Sequence, residues 1–474
     1  MALINQQSNL KDRMERQPLI DVLCIFFGIG TWLCVNGLWV ELPLLVQHLP
    51  EGWALPSYLA VVIQLANLGP VLYTVLNSLF PRAITEVRSI YVVMLVGFVA
   101  VILLANFWSV TGVVLGQQHS VALLGLVFFV AAVDCSSRVL YLPFMARLQT
   151  IYLPSFFIGE GLSGLIPSIF ALIQGVGGNP ECRNNTFGNG TMAVIPEPFY
   201  SVDIFFYLMS AITFCSFVAF FLLNQNGIVG KGLVKPQNSI PLTITGRRSE
   251  ERSTSKREPF YESTRWPDED NDSKAAFLNR DDHINQSARK SRPLTSIEKP
   301  VESTRSIGEL SYLLIMQTMI CGLANGVFPS IQSYSCLPYG NTTFHWAVTL
   351  SNMANPGVCF LMFCLPNPNK YSVTVTAMLG LGVSSYVMQT AVLSPNPPMV
   401  GTLEGELLLV SSWILLVGLF TYTKVAISSM LRDLGQKGLF WSGAFTQFGS
   451  SIGAVATFFI IKYGDVFHSY YPCG

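Results

Sequence analysis

Carboxamide and indole side chains recur inside otherwise apolar stretches of this chain. Trp32, Asn36 and Trp39 are spaced i, i+4 and i+7, which sets them on one face of a helix. Gln64 and Asn67 share a face further on, and Asn325, Gln332, Asn352 and Asn355 repeat the chemistry in the second half. An amide offers a donor and an acceptor, and an indole offers a flat stacking surface. Together they suit a neutral, planar, hydrogen-bonding ligand better than an ion. Bridging between helices is the rival use of asparagine in apolar surroundings. Glu41 follows on the same stretch, before Pro43. Touching a substrate, binding a proton and sitting hydrated at a mouth all stay open for it.

A second group is charged: Asp134, Arg138, Glu160 and Lys424. Asp134 and Arg138 are i, i+4 neighbours on a helix. Other chemistry is excluded by context. Gly159-Glu160-Gly161-Leu162-Ser163-Gly164 spells GxGxxG, but it follows no strand, so the dinucleotide reading fails. Small residues at that spacing let helices approach closely instead. There is no P-loop, nucleophile elbow or HExxH, no CxxC among the ten cysteines, and no metal-ligand spacing. The sequence therefore predicts no catalytic residue, no metal and no cofactor.

These residues sit in a chain of 474 residues that is 51% hydrophobic and 12% charged, where a soluble domain carries about 25% charged residues. The deficit is concentrated, because 15 of the 28 Lys and Arg lie between 224 and 308. Eleven apolar runs are long enough to cross a bilayer: 19–46, 57–79, 89–111, 121–145, 154–175, 201–223, 309–331, 344–364, 372–393, 404–430 and 438–461. Continuous runs predict helices, since a barrel would show short alternating segments. The expected fold is all-α integral membrane, with the lipid bilayer as partner. A net charge of zero gives nucleic acid no footprint, and oligomeric state is left open.

Lys and Arg orient the spans. With a cytosolic N-terminus, inside segments hold Lys11, Arg13, Arg16, Arg82, Arg88, Arg147, Lys370, Arg432, Lys437 and the 224–308 loop. Outside segments then hold only Arg183 and Lys462. The expected plan is a cytosolic N-terminus (1–18), a six-helix bundle (19–223), a disordered cytosolic loop (224–308), a five-helix bundle (309–461) and an extracellular C-terminus (462–474). The sequons at Asn184, Asn189 and Asn341 fall outside, as do Cys182, Cys336 and Cys473, among which one disulfide is expected. Spacing does not name the pair.

The halves echo each other. Asn36-Gly37-Leu38-Trp39 matches Asn325-Gly326-Val327-Phe328, and Ala66-Asn67-Leu68-Gly69 matches Ala354-Asn355-Pro356-Gly357. The separations are 31 residues from Asn36 to Asn67 and 30 from Asn325 to Asn355. Both copies start outward, which predicts a parallel repeat and two pseudo-symmetric bundles (6+5) of the major-facilitator or nucleoside-transporter kind. In that frame Asp134, Arg138, Glu160 and Lys424 lie toward the cytosol. An inner gate would pair Asp134 or Glu160 with Lys424, and static pairing or snorkelling is the alternative.

The run Asn36-Gly37-Leu38-Trp39-Val40-Glu41-Leu42-Pro43-Leu44-Leu45-Val46 resembles the first-helix signature of the animal riboflavin transporter family of solute carriers. Pro50-Glu51-Gly52-Trp53, Val62-Ile63-Gln64-Leu65-Ala66-Asn67, Val133-Asp134-Cys135, Leu142-Pro143-Phe144-Met145, Gln332-Ser333-Tyr334-Ser335-Cys336-Leu337 and Leu431-Arg432-Asp433-Leu434 resemble it too. Where relatives often carry Ser-Pro-Cys-Pro, this chain has Ser394-Pro395-Asn396-Pro397, so that loop has no thiol for Cys473. The resemblance implies eleven spans and sodium-independent uptake of riboflavin (vitamin B2) at the plasma membrane. Riboflavin would be cargo rather than cofactor, and its ring, uracil-like edge and polyol tail match indoles and amides. Two other readings remain. An equilibrative nucleoside-type transporter would prefer adenosine to lumiflavin as competitor, and a non-transporting receptor would move nothing into vesicles.

Overall fold

The computed structural model describes residues 17–179, 181–184, 191–194, 196–225, 307–362, 365, 368–432 and 435–469. The chain divides into one compact unit, Met1–Val234 with Glu302–Gly474, and a second, Lys235–Val301. The second unit, and with it nearly all of the expected cytosolic loop, lies outside the described residues.

Among the described residues of the compact unit, fourteen α-helices are found: α1 (Pro18–Ile29), α2 (Leu33–His48), α3 (Leu55–Leu65), α4 (Leu68–Leu79), α5 (Glu86–Phe107), α6 (Val121–Met145), α7 (Leu153–Gln174), α8 (Val202–Leu223), α9 (Ile307–Gly322), α10 (Phe328–Cys336), α11 (Asn341–Met362), α12 (Lys370–Val392), α13 (Leu403–Arg432) and α14 (Gly435–Tyr463). Two antiparallel hairpins complete it: β1 (Gly112–Val114) with β2 (Gln117–His119), and β3 (Glu181–Asn184) with β4 (Thr191–Val194).

Among the described residues, nine helices are long and apolar enough to cross a membrane, or ten if the bent α1–α2 pair is one span. The remaining expected run is α11, with 22 residues and hence a length of about 33 Å. It spans by length but not by apolarity, because Asn341, Thr342, Thr343, His345, Thr349, Ser351, Asn352 and Asn355 crowd it.

The apolar run 19–46 is not one straight helix. It breaks at Gly30–Trp32, and α2 leaves α1 at 51°. Thr31 closes the break by giving its N–H and its hydroxyl to the Gly28 carbonyl, at 3.1 and 2.8 Å. The first turn of α2 has N–H groups that no intrahelical carbonyl reaches. Asp134 on α6 accepts one of them, from Val35 at 3.1 Å.

Pairing of helices obeys the sequence repeat. In the first half, α1 packs on α7, α5 on α6, and α3 and α4 on α6. In the second half, α9 packs on α14, α12 on α13, and α11 on α13. Span one therefore meets span five as span seven meets span eleven; three meets four as nine meets ten; two meets four as eight meets ten. The interruptions repeat as well. Span seven carries a π-turn at Leu323–Val327 that contains Asn325, span two breaks beside Asn67, and span eight has Pro356 after Asn355.

Candidate functional site

In α2, from Leu33 to Val46, only Cys34, Asn36 and Trp39 escape full burial. With half-buried Trp32 at the helix start, the expected indole and amide stripe is the accessible face of an otherwise sealed helix. The Trp32 Nε1 donor is itself buried and has no hydrogen-bond partner. The Asn36 amide faces span five: a Cβ placed on Gly164 would stand 3.5 Å from Asn36 Nδ2 and 3.8 Å from Pro356 of span eight.

The glycine motif is what allows this meeting. A Cβ on Gly159 would collide with the Ile25 carbonyl of α1, and one on Gly161 would stand 2.8 Å from the Phe360 ring of α11. The stripe Gly159-x-Gly161-x-x-Gly164 thus brings α7 close to both the first and the eighth span. Slightly further along, Asn352 Nδ2 on α11 donates to Ser168 Oγ on α7 at 3.4 Å. Asn36 and Asn352 therefore flank one seam between the halves.

The second half contributes a linked chain of polar groups. Thr421 on α13 donates to Asn355 Oδ1 at 3.1 Å. One turn on, Lys424 Nζ donates to Asn325 Oδ1 at 3.2 Å, and Asn325 Nδ2 donates to Ser450 Oγ of α14 at 3.0 Å. Asn325 and Asn355 thus both meet α13, whereas Gln332 is buried on α10. In the first half Asn67 Nδ2 donates to Gln64 Oε1 at 3.1 Å.

Glu41 stands apart from the stripe and is 1% exposed. Its Oε1 accepts from Gln174 Nε2 at 2.9 Å, which also donates to the Tyr200 carbonyl, while Glu41 Oε2 has no partner. Burial pushes the Tyr200 phenol up to about 12, with a charge on Glu41 adding to the effect. Tyr200 keeps its proton and donates a hydrogen bond to the Phe170 carbonyl at 2.6 Å. Glu41 therefore ties spans one, five and six together.

Of the charged group, Asp134 and Lys424 have the partners just given, on opposite halves. Glu160 is half-buried on α7. The Arg138 side chain lies outside the described residues. Ser168, Thr421, Ser450 and Gln174 were not singled out from sequence. A hydroxyl in an apolar helix usually returns its hydrogen bond to the preceding turn, so the string of letters carries no sign of a cross-helix role.

Two expectations need correction. Cys336 is a free thiol, fully buried on α10, so it is withdrawn as a disulfide candidate. Cys182 is disulfide-bonded, and Cys473 lies outside the described residues. Asn341 is 4% exposed and its Nδ2 is buried, which leaves no space for a glycan in this fold. Asn189 and the Asn184 side chain lie outside the described residues.

The halves are fastened at the end that holds the β1–β2 hairpin. There α3 packs on α10 and α14, and α2 on α11. Ser333 Oγ donates to the Trp53 carbonyl at 2.5 Å, Trp53 meets Tyr334 edge to face, and the Thr342 N–H donates to Asn179 Oδ1 at 3.3 Å. At the opposite end α4 leans on α6 of its own half, and none of its residues is buried.

Two like-packed halves with polar groups on their seam define the class: this is the fold of a two-bundle membrane transporter. A solved bacterial homologue of the human lysosomal transporter Spinster shares it, with a TM-score of 0.50 at 9% identity over 93% of this chain and 82% of that one. The chain matches the family model for solute carrier family 52, riboflavin transporter, over residues 16–469, and it belongs to that family. Relatives include riboflavin transporter member 3 of Bos taurus, 37% identical over 95% of this chain and 97% of that protein. Riboflavin transporter 2 of Salmo salar is 38% identical (96% and 98%), and member 2 of Homo sapiens is 38% identical (97% of each).

Proposed function

We propose that this chain carries riboflavin into the cell across the plasma membrane, with no chemical step and no need for sodium. Two halves rock about their seam, opening it to one side and then the other. The family membership and the names of the relatives support riboflavin as cargo. The observation that carries the reading is the seam itself: Gly164 of span five lies between the Asn36 amide of its own half and Pro356 of the other, and Asn352 of the second half donates to Ser168 of the first. Indoles stack on the flavin ring, amides meet its uracil-like edge, and the unpartnered Trp32 N–H finds an acceptor when a carbonyl enters.

The charge bias supports a cytosolic N-terminus and an extracellular C-terminus. The hairpin end is then the outer face, and the fastened outer seam corresponds to a carrier open to the cytosol. The charged group on the cytosolic side is assigned the role of inner gate, in which Asp134 or Glu160 of one half meets Lys424 of the other as that side closes. Asn184 and Asn189 are the remaining candidates for glycan acceptors, and Cys182 and Cys473 the remaining disulfide candidates.

The test is uptake of labelled riboflavin in cells lacking their own carrier, with choline replacing sodium in one arm. Uptake should persist without sodium, fall with excess lumiflavin and ignore adenosine. Asn36→Ala at normal surface level should cut it by about tenfold, the worth of one well-placed hydrogen bond. Uptake blocked by adenosine and not by lumiflavin would move the chain to the nucleoside reading.

A further inference from the structure

Lys462 runs against the charge bias that orients the chain, as one of two basic residues on the outer side. The structure places it on the last turn of α14, at the fastened end. Its ammonium donates to the Tyr58 hydroxyl at 3.1 Å and to Gln117 Oε1 at 2.8 Å, and lies 5.8 Å from the centre of the Tyr58 ring. Both partners belong to the other half: Tyr58 to α3, Gln117 to β2. One turn back, Phe458 meets Tyr58 edge to face, ring centres 4.9 Å apart.

These contacts border a cavity of about 270 Å³ lined from both halves, with Glu51, Ser57 and His119 on one wall and Ile461 and Lys462 on the other. Glu51, the acid in that wall, is already engaged. Its Oε1 accepts from the Ser120 N–H and pairs with His119 Nδ1, and its Oε2 accepts from the Ser120 hydroxyl. The hydrogen bonds of Lys462 to the first half thus end on neutral acceptors.

We propose that Lys462 is a positioning residue for transport, the latch of the outer face. It holds span eleven to span two and the β1–β2 hairpin while the carrier is open to the cytosol, and releases them when the outer side opens. The idea rests on the alternating-access reading above. An ammonium is a compact, strongly hydrated charge. Beside a cavity with room for several waters, it exchanges two neutral acceptors for water at little cost. A buried carboxylate partner would hold too tightly for a contact that must open in every cycle. On the disfavoured side of the membrane the lysine's target is the other half of the protein.

Ser333, fully buried on the same seam beside Trp53, reports on opening. In intact cells carrying Ser333→Cys, the rate of labelling by a membrane-impermeant maleimide is measured with and without Lys462→Met, with the parent chain, Ser333 intact, as background. Lys462→Met should raise the rate about three- to tenfold, the population shift that one or two exposed charge-assisted bonds bring. Tyr58→Phe combined with Gln117→Leu should do the same, and should add little to Lys462→Met, because all three remove one interaction. An unchanged rate in Lys462→Met, or full additivity with the double variant, overturns the latch. Labelling needs no substrate, so failure of the parent chain to take up riboflavin would overturn the transport reading separately.

Discussion

Replacing Asp134 by Ala takes away the group that receives the Val35 N–H at the start of α2. Asp134 is 2% exposed, and the bond is 3.1 Å long. The cavity it touches has a volume of about 10 Å³, space for no more than one water. Stranding a buried donor costs about 1–3 kcal/mol, and replacing a capping Asp by Ala costs about 0.5–2 kcal/mol. The truncation also makes room for water, so the overlap of the two ranges, about 1–2 kcal/mol, is the expected loss. Asn keeps an oxygen in the same place and should cost a few tenths of that. The assay is the thermal midpoint of the detergent-extracted transporter, followed by fluorescence-detected size exclusion. Asp134→Ala should lower the midpoint by about 1–2 °C, and Asp134→Asn by less than a third of the Ala shift. If Asn were as harmful as Ala, or Ala harmless, the capping account would be wrong. Uptake adds an independent reading. Should Asp134→Asn keep its midpoint and lose transport, the charge itself has a second use, as the inner gate requires.

Gly161→Val should push α7 away from Phe360 and lower both yield and thermal midpoint, and adding Phe360→Ala should recover part of the loss; a single variant as stable as the parent would contradict the close packing. Lys424→Met should reach the cell surface normally and lose most riboflavin uptake, since Asn325 then has no cation to orient it, and normal uptake in surface-matched cells would remove Lys424 from the mechanism. Asn341→Gln should leave the glycosidase-sensitive gel shift unchanged, whereas Asn184→Gln and Asn189→Gln together should abolish it; a shift lost with Asn341→Gln would show that the burial described for Asn341 is wrong.

How much of this was legible in the sequence differs from residue to residue. The stripe Trp32, Asn36, Trp39 was readable because helical periodicity fixes which side chains share a face, whatever the surroundings. The duplicated Asn-Gly and Asn-x-Gly pieces were readable because a repeat in sequence enforces a repeat in packing, and the pairing of spans one with five and seven with eleven bears it out. The polarity of span eight was in plain view, yet it was counted as an ordinary crossing. Two of its amides are answered by other helices, Asn352 by Ser168 across the seam and Asn355 by Thr421 of span ten.

What the sequence by itself determined is the solvent this chain folds in. Apolar runs of crossing length, with cations gathered on one side, admit helices and forbid open sheets, because lipid offers backbone groups no partner. What only the tertiary structure decided is which polar group answers which. Asp134 reads as an acid in an apolar run, and the fold sets it against the Val35 N–H of another span. Lys462 reads as a stray cation, but reaches Tyr58 and Gln117 across the seam. Asn341 and Cys336 read as outer-surface residues, but are enclosed. Hydrogen bonds and steric enclosure act over a few ångströms between segments far apart in sequence, so no local pattern of letters encodes them.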